Sequence, residues 1–183
     1  MNAALASFPA LTRGGAGPAL AVLALLCSGS PSPGFAGERL PKIALIDQFD
    51  RLHRHQGPFP RPLLVVIADR RGASQIEGWV SKLYQSHGTT ADIVGVADLR
   101  GVPSFMKDTL RKAFRKQCAD YPILLDWEGQ TTTAVSRGQS GIDIFAVSPG
   151  GEIVATVSGS LTAAKMERLG SSLQTGGIVA SAP

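Results

Sequence analysis

Apolar and polar positions alternate in blocks along this chain, and the sharpest block is Leu63-Leu64-Val65-Val66-Ile67, followed by Ala68 and the polar Asp69-Arg70-Arg71. A continuous apolar run bounded by turn residues predicts a central strand covered on both faces. From Ser74 the period changes, with Ile76, Trp79, Val80 and Leu83 at helical spacing. Ser74 and Glu77 stand three apart, the spacing of a capping box, so the helix is expected to start there.

The same reading extends in both directions. Lys42 to Gln48 alternates, with Ile43 and Leu45 on one face, and predicts a short strand or hairpin arm. Pro58, Pro60 and Pro62 mark a loop, because proline cannot donate to a sheet ladder. Asp92 to Asp98 reads as a second central strand, and Pro103-Ser104 opens a helix to about Gln117 with Met106, Leu110, Ala113 and Phe114 as its buried stripe. Ile123 to Asp126 is a further strand, turned by Glu128-Gly129. Ile144 to Val147 and Ile153 to Val157 pair across the turn signal Pro149-Gly150-Gly151, and Thr162 to Leu173 is a last amphipathic helix with Met166, Leu169 and Leu173 inward. Strands alternating with helices, then a terminal hairpin and helix, predict an α/β sandwich with a central mixed β-sheet flanked by helices.

Composition leaves that picture intact: 44% hydrophobic and 17% charged residues over 183 positions suit one globular domain. The first 36 residues differ. They hold one charge, Arg13, an apolar run from Ala19 to Cys27, and a small-residue and proline stretch ending Gly34-Phe35-Ala36. This is the layout of a signal peptide cut after Ala36, and its apolar run is shorter than the roughly 20 residues that span a bilayer. Residues 1–36 are therefore expected to be a leader, 37–174 the domain and 175–183 a flexible tail, with no transmembrane helix after cleavage and a periplasmic or secreted location. A lipid-attachment site at Cys27 is the rival reading, and Leu26 argues against it, since a small residue is wanted there. Removing 36 of 183 residues leaves 147 and a single cysteine, Cys118, which cannot close an internal disulfide. With 17 of the 18 Lys and Arg against all 14 Asp and Glu, the rest of the chain has too slight a positive excess to read as a nucleic-acid binder.

Segments of the chain, in order, resemble the thioredoxin-like superfamily, in its redoxin branch of exported proteins. Leu45-Ile46-Asp47-Gln48-Phe49-Asp50 is similar to the L-x-D-x-x-G hairpin that opens many redoxin domains, with Asp50 in place of glycine. Leu63 to Ala68 resembles the strand before the active site, and Tyr121-Pro122-Ile123-Leu124-Leu125-Asp126 the P-V-L-L-D strand. Phe145-Ala146-Val147-Ser148-Pro149-Gly150-Gly151-Glu152-Ile153-Val154 resembles F-L-I-D-x-x-G-x-I-V. The resemblance covers about residues 41–173 and implies a thioredoxin-like sandwich. It also implies a Cys-x-x-Cys or a peroxiredoxin cysteine where this chain has Arg70 to Gln75, and neither is present. Where the family places its cis-proline this chain has Gly141-Ile142-Asp143, with Asp143 at the proline position.

Thiol exchange needs a thiolate, which a helix N-terminus stabilises, so a loop without sulfur has no nucleophile to activate. Asp69, Arg70, Arg71, Gly72 and Ser74 are thus expected to form a vestigial active-site loop that could bind a small anion through Arg70, Arg71 and the helix start. Cys118 is the remaining thiol, and a divergent thiol oxidoreductase or peroxidase using it is the alternative function. His53 and His55 sit at a spacing that puts both imidazoles on one face of a strand, which makes a metal or heme carrier the second alternative. Lys107, Arg111, Lys112, Arg115 and Lys116 form a basic strip for an acidic partner or an anionic membrane surface. The main expectation is an exported, redox-inactive binding or accessory protein of the cell envelope, with an envelope protein as partner and no cofactor.

Overall fold

The computed structural model describes residues 37–135 and 141–178. The expected leader, including Cys27 and the cleavage point after Ala36, lies outside the described residues, as do 136–140. The order is β1 (Ile43–Ile46), β2 (Leu52–His55), β3 (Leu63–Ala68), α1 (Ala73–His87), β4 (Asp92–Asp98), a 3₁₀ turn (Ser104–Met106), α2 (Lys107–Gln117), β5 (Ile123–Asp126), α3 (Gln130–Val135), β6 (Ile142–Val147), β7 (Ile153–Ser158) and α4 (Ala163–Ile178).

Five strands make the central sheet, in the order β5-β4-β3-β6-β7. β3 pairs parallel with β4 and antiparallel with β6, so the apolar run lies at the centre with every residue buried. This mixed sheet flanked by helices is the architecture the sequence predicts. On one face Leu64, Val66 and Ile144 pack against Trp79, Val80 and Leu83 of α1 and Leu169 and Leu173 of α4. On the other, Val65, Ile67, Val96 and Phe145 pack with Leu40, Ile43 and Val135. No helix among the described residues is long and apolar enough to cross a membrane.

β1 and β2 form a separate antiparallel hairpin, tied to the main sheet by an isolated bridge between Asp47 and Leu124. Asp50, where the resembling hairpins carry glycine, has φ +64. Asp is among the few side chains that enter the left-handed region readily, so it serves the turn in glycine's place.

Four expectations change. Ser74 does not cap α1: the N-cap is Gly72, two residues earlier, the helix begins at Ala73, and no side chain caps it. The stripe predicted for α2 is not buried. Met106 and Ala113 are exposed and Leu110 and Phe114 half-buried, because the helix stands off the sheet over a cleft. α3, where the sequence predicts no element after the Glu128-Gly129 turn, is a short helix held by Asp126, whose carboxylate accepts the amides of Gln130 (3.0 Å) and Thr132 (2.9 Å) and the Thr132 hydroxyl (3.0 Å). β6 begins at Ile142 and α4 runs to Ile178, both longer than predicted.

Candidate functional site

The C-terminal ends of the parallel strands β3, β4 and β5 lie on one edge of the sheet, where α/β folds place their ligands. β3 ends at Ala68 and the chain turns at once through Asp69. Oδ1 of Asp69 accepts the backbone N–H groups of Arg71 (2.8 Å) and Gly72 (3.0 Å), while its own N–H donates to the Gly141 carbonyl (2.9 Å). Two of the amides expected to face an anion are therefore already satisfied from within the loop. Arg70, Arg71 and Ser74 are exposed and Gly72 is buried. A Cβ on Gly72 would collide with the carbonyl of Gly141, itself at φ +122.

Asp98 ends β4 and grips Arg100. Its two oxygens accept Arg100 Nε at 3.0 and 3.1 Å, and Oδ2 accepts Nη2 at 2.6 Å. Arg100 Nη1 donates to Thr133 Oγ1 at 3.0 Å, and its stem lies where a Cβ on Gly129 would stand. This arginine ties the end of β4 to α3. Neither Asp98 nor Arg100 was singled out by sequence reasoning, and the signal available was the repetition of Asp at the last position of β4 and β5.

Between the loop and α2 lies a cleft of about 350 Å³, lined by Ala68, Ala73, Ile76, Ala97, Val102, Leu110 and Phe114, with Asp69, Arg70, Asp98 and Arg100 as its charged groups. Asp143 sits in β6 opposite Ile67 and accepts the Ser158 hydroxyl at 2.5 Å. Burial, reinforced by nearby Asp69 and only partly offset by Ser158, pushes its carboxyl above the usual range.

No protein-family model matches the sequence, and no curated protein matches it. Solved structures do. A protein described as the thiol:disulfide interchange protein DsbE from Chlorobium tepidum superposes with TM-score 0.59 at 14% identity, covering 77% of this chain and 96% of that one. Peroxidoxin BcpB from Mycobacterium tuberculosis gives 0.56 at 15% identity, covering 78% and 97%. The exposed lipoprotein thioredoxin Etrx1 from Streptococcus pneumoniae gives 0.56 at 13% identity, covering 72% and 99%. The chain has the thioredoxin-like fold.

In this thioredoxin-like frame the loop at residues 69–74 carries no cysteine, and Cys118 lies elsewhere, at the C-cap of α2. Cys118 is free and only 3% exposed. Burial, with Glu77 adding to it, pushes the thiol above its ordinary range, so the fold suppresses the thiolate that exchange requires.

The basic strip does not act as one surface. Arg111 Nε is 3.3 Å from Asp50 Oδ1 in an ion contact without hydrogen-bond geometry, and Nη1 of the same residue reaches Asp108 at 3.3 Å. Arg115 donates to the Gln48 carbonyl and to Asp50, and Lys107 sits 5.2 Å from the centre of the Trp127 ring. Arg111 and Arg115 therefore staple α2 to the hairpin turn, which leaves Lys112 and Lys116 as its outward cations.

His53 and His55 do share the inner face of the hairpin, opposite Leu45 and Ile43. Their rings stack with centroids 6.3 Å apart and planes 10° apart, and His53 Nε2 donates to Asp47 Oδ2 at 2.8 Å. Burial alone would raise Asp47. Hydrogen bonds from the amides of Arg51 and Phe49 and from His53 outweigh it and hold the carboxyl below its usual range. Burial lowers His55, and the charge of His53 lowers it further. Among the described residues no three His, Cys, Asp or Glu side chains gather as a metal site requires.

Proposed function

We infer that this protein is an exported thioredoxin-like domain that lacks dithiol chemistry and works as a non-catalytic binding or accessory protein of the cell envelope. The observation that carries this reading is the pairing of a loop without sulfur at residues 69–74 with a remaining thiol, Cys118, that is buried and shifted away from thiolate. A nucleophilic thiol must be both ionised and reachable. Burial of Cys118 and the upward shift of its thiol support this reading, and the cleft beside the loop keeps ligand-sized space.

Export is supported by the leader pattern of residues 1–36, and one structural neighbour is by name an exposed lipoprotein. An acidic envelope protein is the partner class that Lys112 and Lys116 would suit.

The test is disulfide reduction and peroxide consumption by the purified chain and its Cys118→Ala variant. Neither protein is expected to turn over either substrate; turnover that disappears in the variant overturns the reading in favour of a thiol enzyme. For export, N-terminal sequencing of the envelope form is expected to begin at Gly37, and an unprocessed chain in the cytoplasm would refute it.

A further inference from the structure

Among the helices of the described residues, α2 alone buries no residue. Its half-buried Leu110 and Phe114 instead line the cleft together with Ile76, Ala97 and Val102. An open cleft of about 350 Å³ with mostly apolar walls falls within the size range of ligand sites.

The charged groups of the cleft decide what the other end of that ligand carries. Asp98 is taken up by Arg100, whereas Asp69 accepts two loop amides on Oδ1 alone and keeps its charge on the lining. Arg100 is in turn held by Asp98 and Thr133. Arg70 remains, an exposed cation on the lining with no ion pair or hydrogen bond among the described residues.

We propose that the cleft binds an amphiphile with an apolar chain and a carboxylate head, the chain lying against Ile76, Leu110 and Phe114 and the head on Arg70. About 350 Å³ lies at the small end of ligand pockets, which suits a chain of medium length. The proposal rests on reading this edge as a binding site rather than a thiol-exchange site, and it names the ligand class of that site.

Calorimetric titration of the purified chain with carboxylates of increasing length tests it, all below their micelle concentrations. Affinity should rise on the order of tenfold for every two methylenes from hexanoate to decanoate, and then stop rising once the cleft is full. Decanol should bind roughly fivefold more weakly than decanoate, and Arg70→Gln should erase that difference while leaving decanol unchanged. Leu110→Trp, which fills the cleft from an exposed helix, should abolish binding. Its fold is checked by circular dichroism, and Met106→Trp on the 41% exposed rim is the second filling variant.

Absence of saturable decanoate binding, equal binding of decanol and decanoate by the unaltered chain, or full binding in both filling variants overturns the proposal. Thiol activity is measured separately. Turnover dependent on Cys118 would defeat the non-catalytic reading whatever decanoate does, whereas a failure to bind decanoate without turnover defeats the ligand class alone.

Discussion

Gly72 and Gly141 meet backbone to backbone, so closely that a Cβ on Gly72 would collide with the Gly141 carbonyl and the following amide of Ile142. Gly72 has φ −84, which any residue adopts, so its requirement is space and not backbone freedom. The contact fixes the loop after β3 against the start of β6. It is reinforced by the bond from the Asp69 amide to the same carbonyl.

Gly72→Ala should therefore destabilise the fold by about 1–3 kcal/mol through overpacking against backbone that cannot rotate away. Urea unfolding measures it. An unchanged midpoint would mean the loop is free to lift off β6.

Gln48 is fully buried, and its side chain joins three backbone groups that lie about seventy residues away in sequence. Nε2 donates to the carbonyls of Cys118 (2.8 Å) and Tyr121 (2.7 Å), and Oε1 accepts the amide of Ile123 (2.7 Å). Gln48→Leu keeps the volume but leaves the Ile123 amide and two carbonyls buried without their partner. A loss of about 2–4 kcal/mol is expected. Gln48→Glu should not recover it, because a carboxylate accepts from Ile123 but sets a buried charge against the two carbonyl oxygens. Equal stability of the leucine variant and the parent would refute this role.

The strand, loop and helix from Leu63 to His87 were legible because their signals are local: a run of five apolar residues, then a switch to helical spacing. The six-residue α3 was not. Gln130-Thr131-Thr132-Thr133-Ala134-Val135 has poor helix propensity, and it forms because Asp126 supplies acceptors and Val135 reaches the core. The period of α2 is legible but its depth is not, since Leu110 lines open space and Phe114 only partly buries itself against the core. The basic strip illustrates the same limit. Nothing along α2 reveals that Asp50, more than sixty residues earlier, will take Arg111 and Arg115. The cleft itself is assembled from the ends of β3 and β4 and a helix beyond them, so no single window of sequence contains it.

Cys118 should resist thiol reagents in the native protein and react readily once unfolded. Native labelling is expected to be slower by at least an order of magnitude than in denaturant, since it must pass through local opening. The thiol's raised pKa means the folded state holds that proton more tightly than the unfolded one. Its contribution to stability is complete below the unfolded value of 9.0 and is lost as pH rises through the folded value. Cys118→Ala should thus flatten the fall in stability on the alkaline side. Rapid native labelling at neutral pH would contradict both the burial and the shift.

On the acid side two groups in one hairpin act in the same direction. His55 is held below its unfolded value of 6.5 by burial and by His53, so the unfolded state takes up the proton first as pH falls. Asp47 is held below 3.8 because hydrogen bonds from the Arg51 and Phe49 amides and from His53 outweigh its burial. For both, the contribution is present above the unfolded pKa and is lost as pH falls through the folded one. His87, lowered by burial, adds to the histidine part, whereas Asp143 is raised by burial and favours the folded state at low pH instead. The urea midpoint should therefore decline as pH is lowered from 6.5, before ordinary carboxylates titrate, and decline again below 3.8. His55→Gln should remove part of the first decline and leave the second, while Asp47→Asn should weaken the second. A midpoint independent of pH between 7 and 5, or a first decline unaffected in His55→Gln, would rule out His55 as its source.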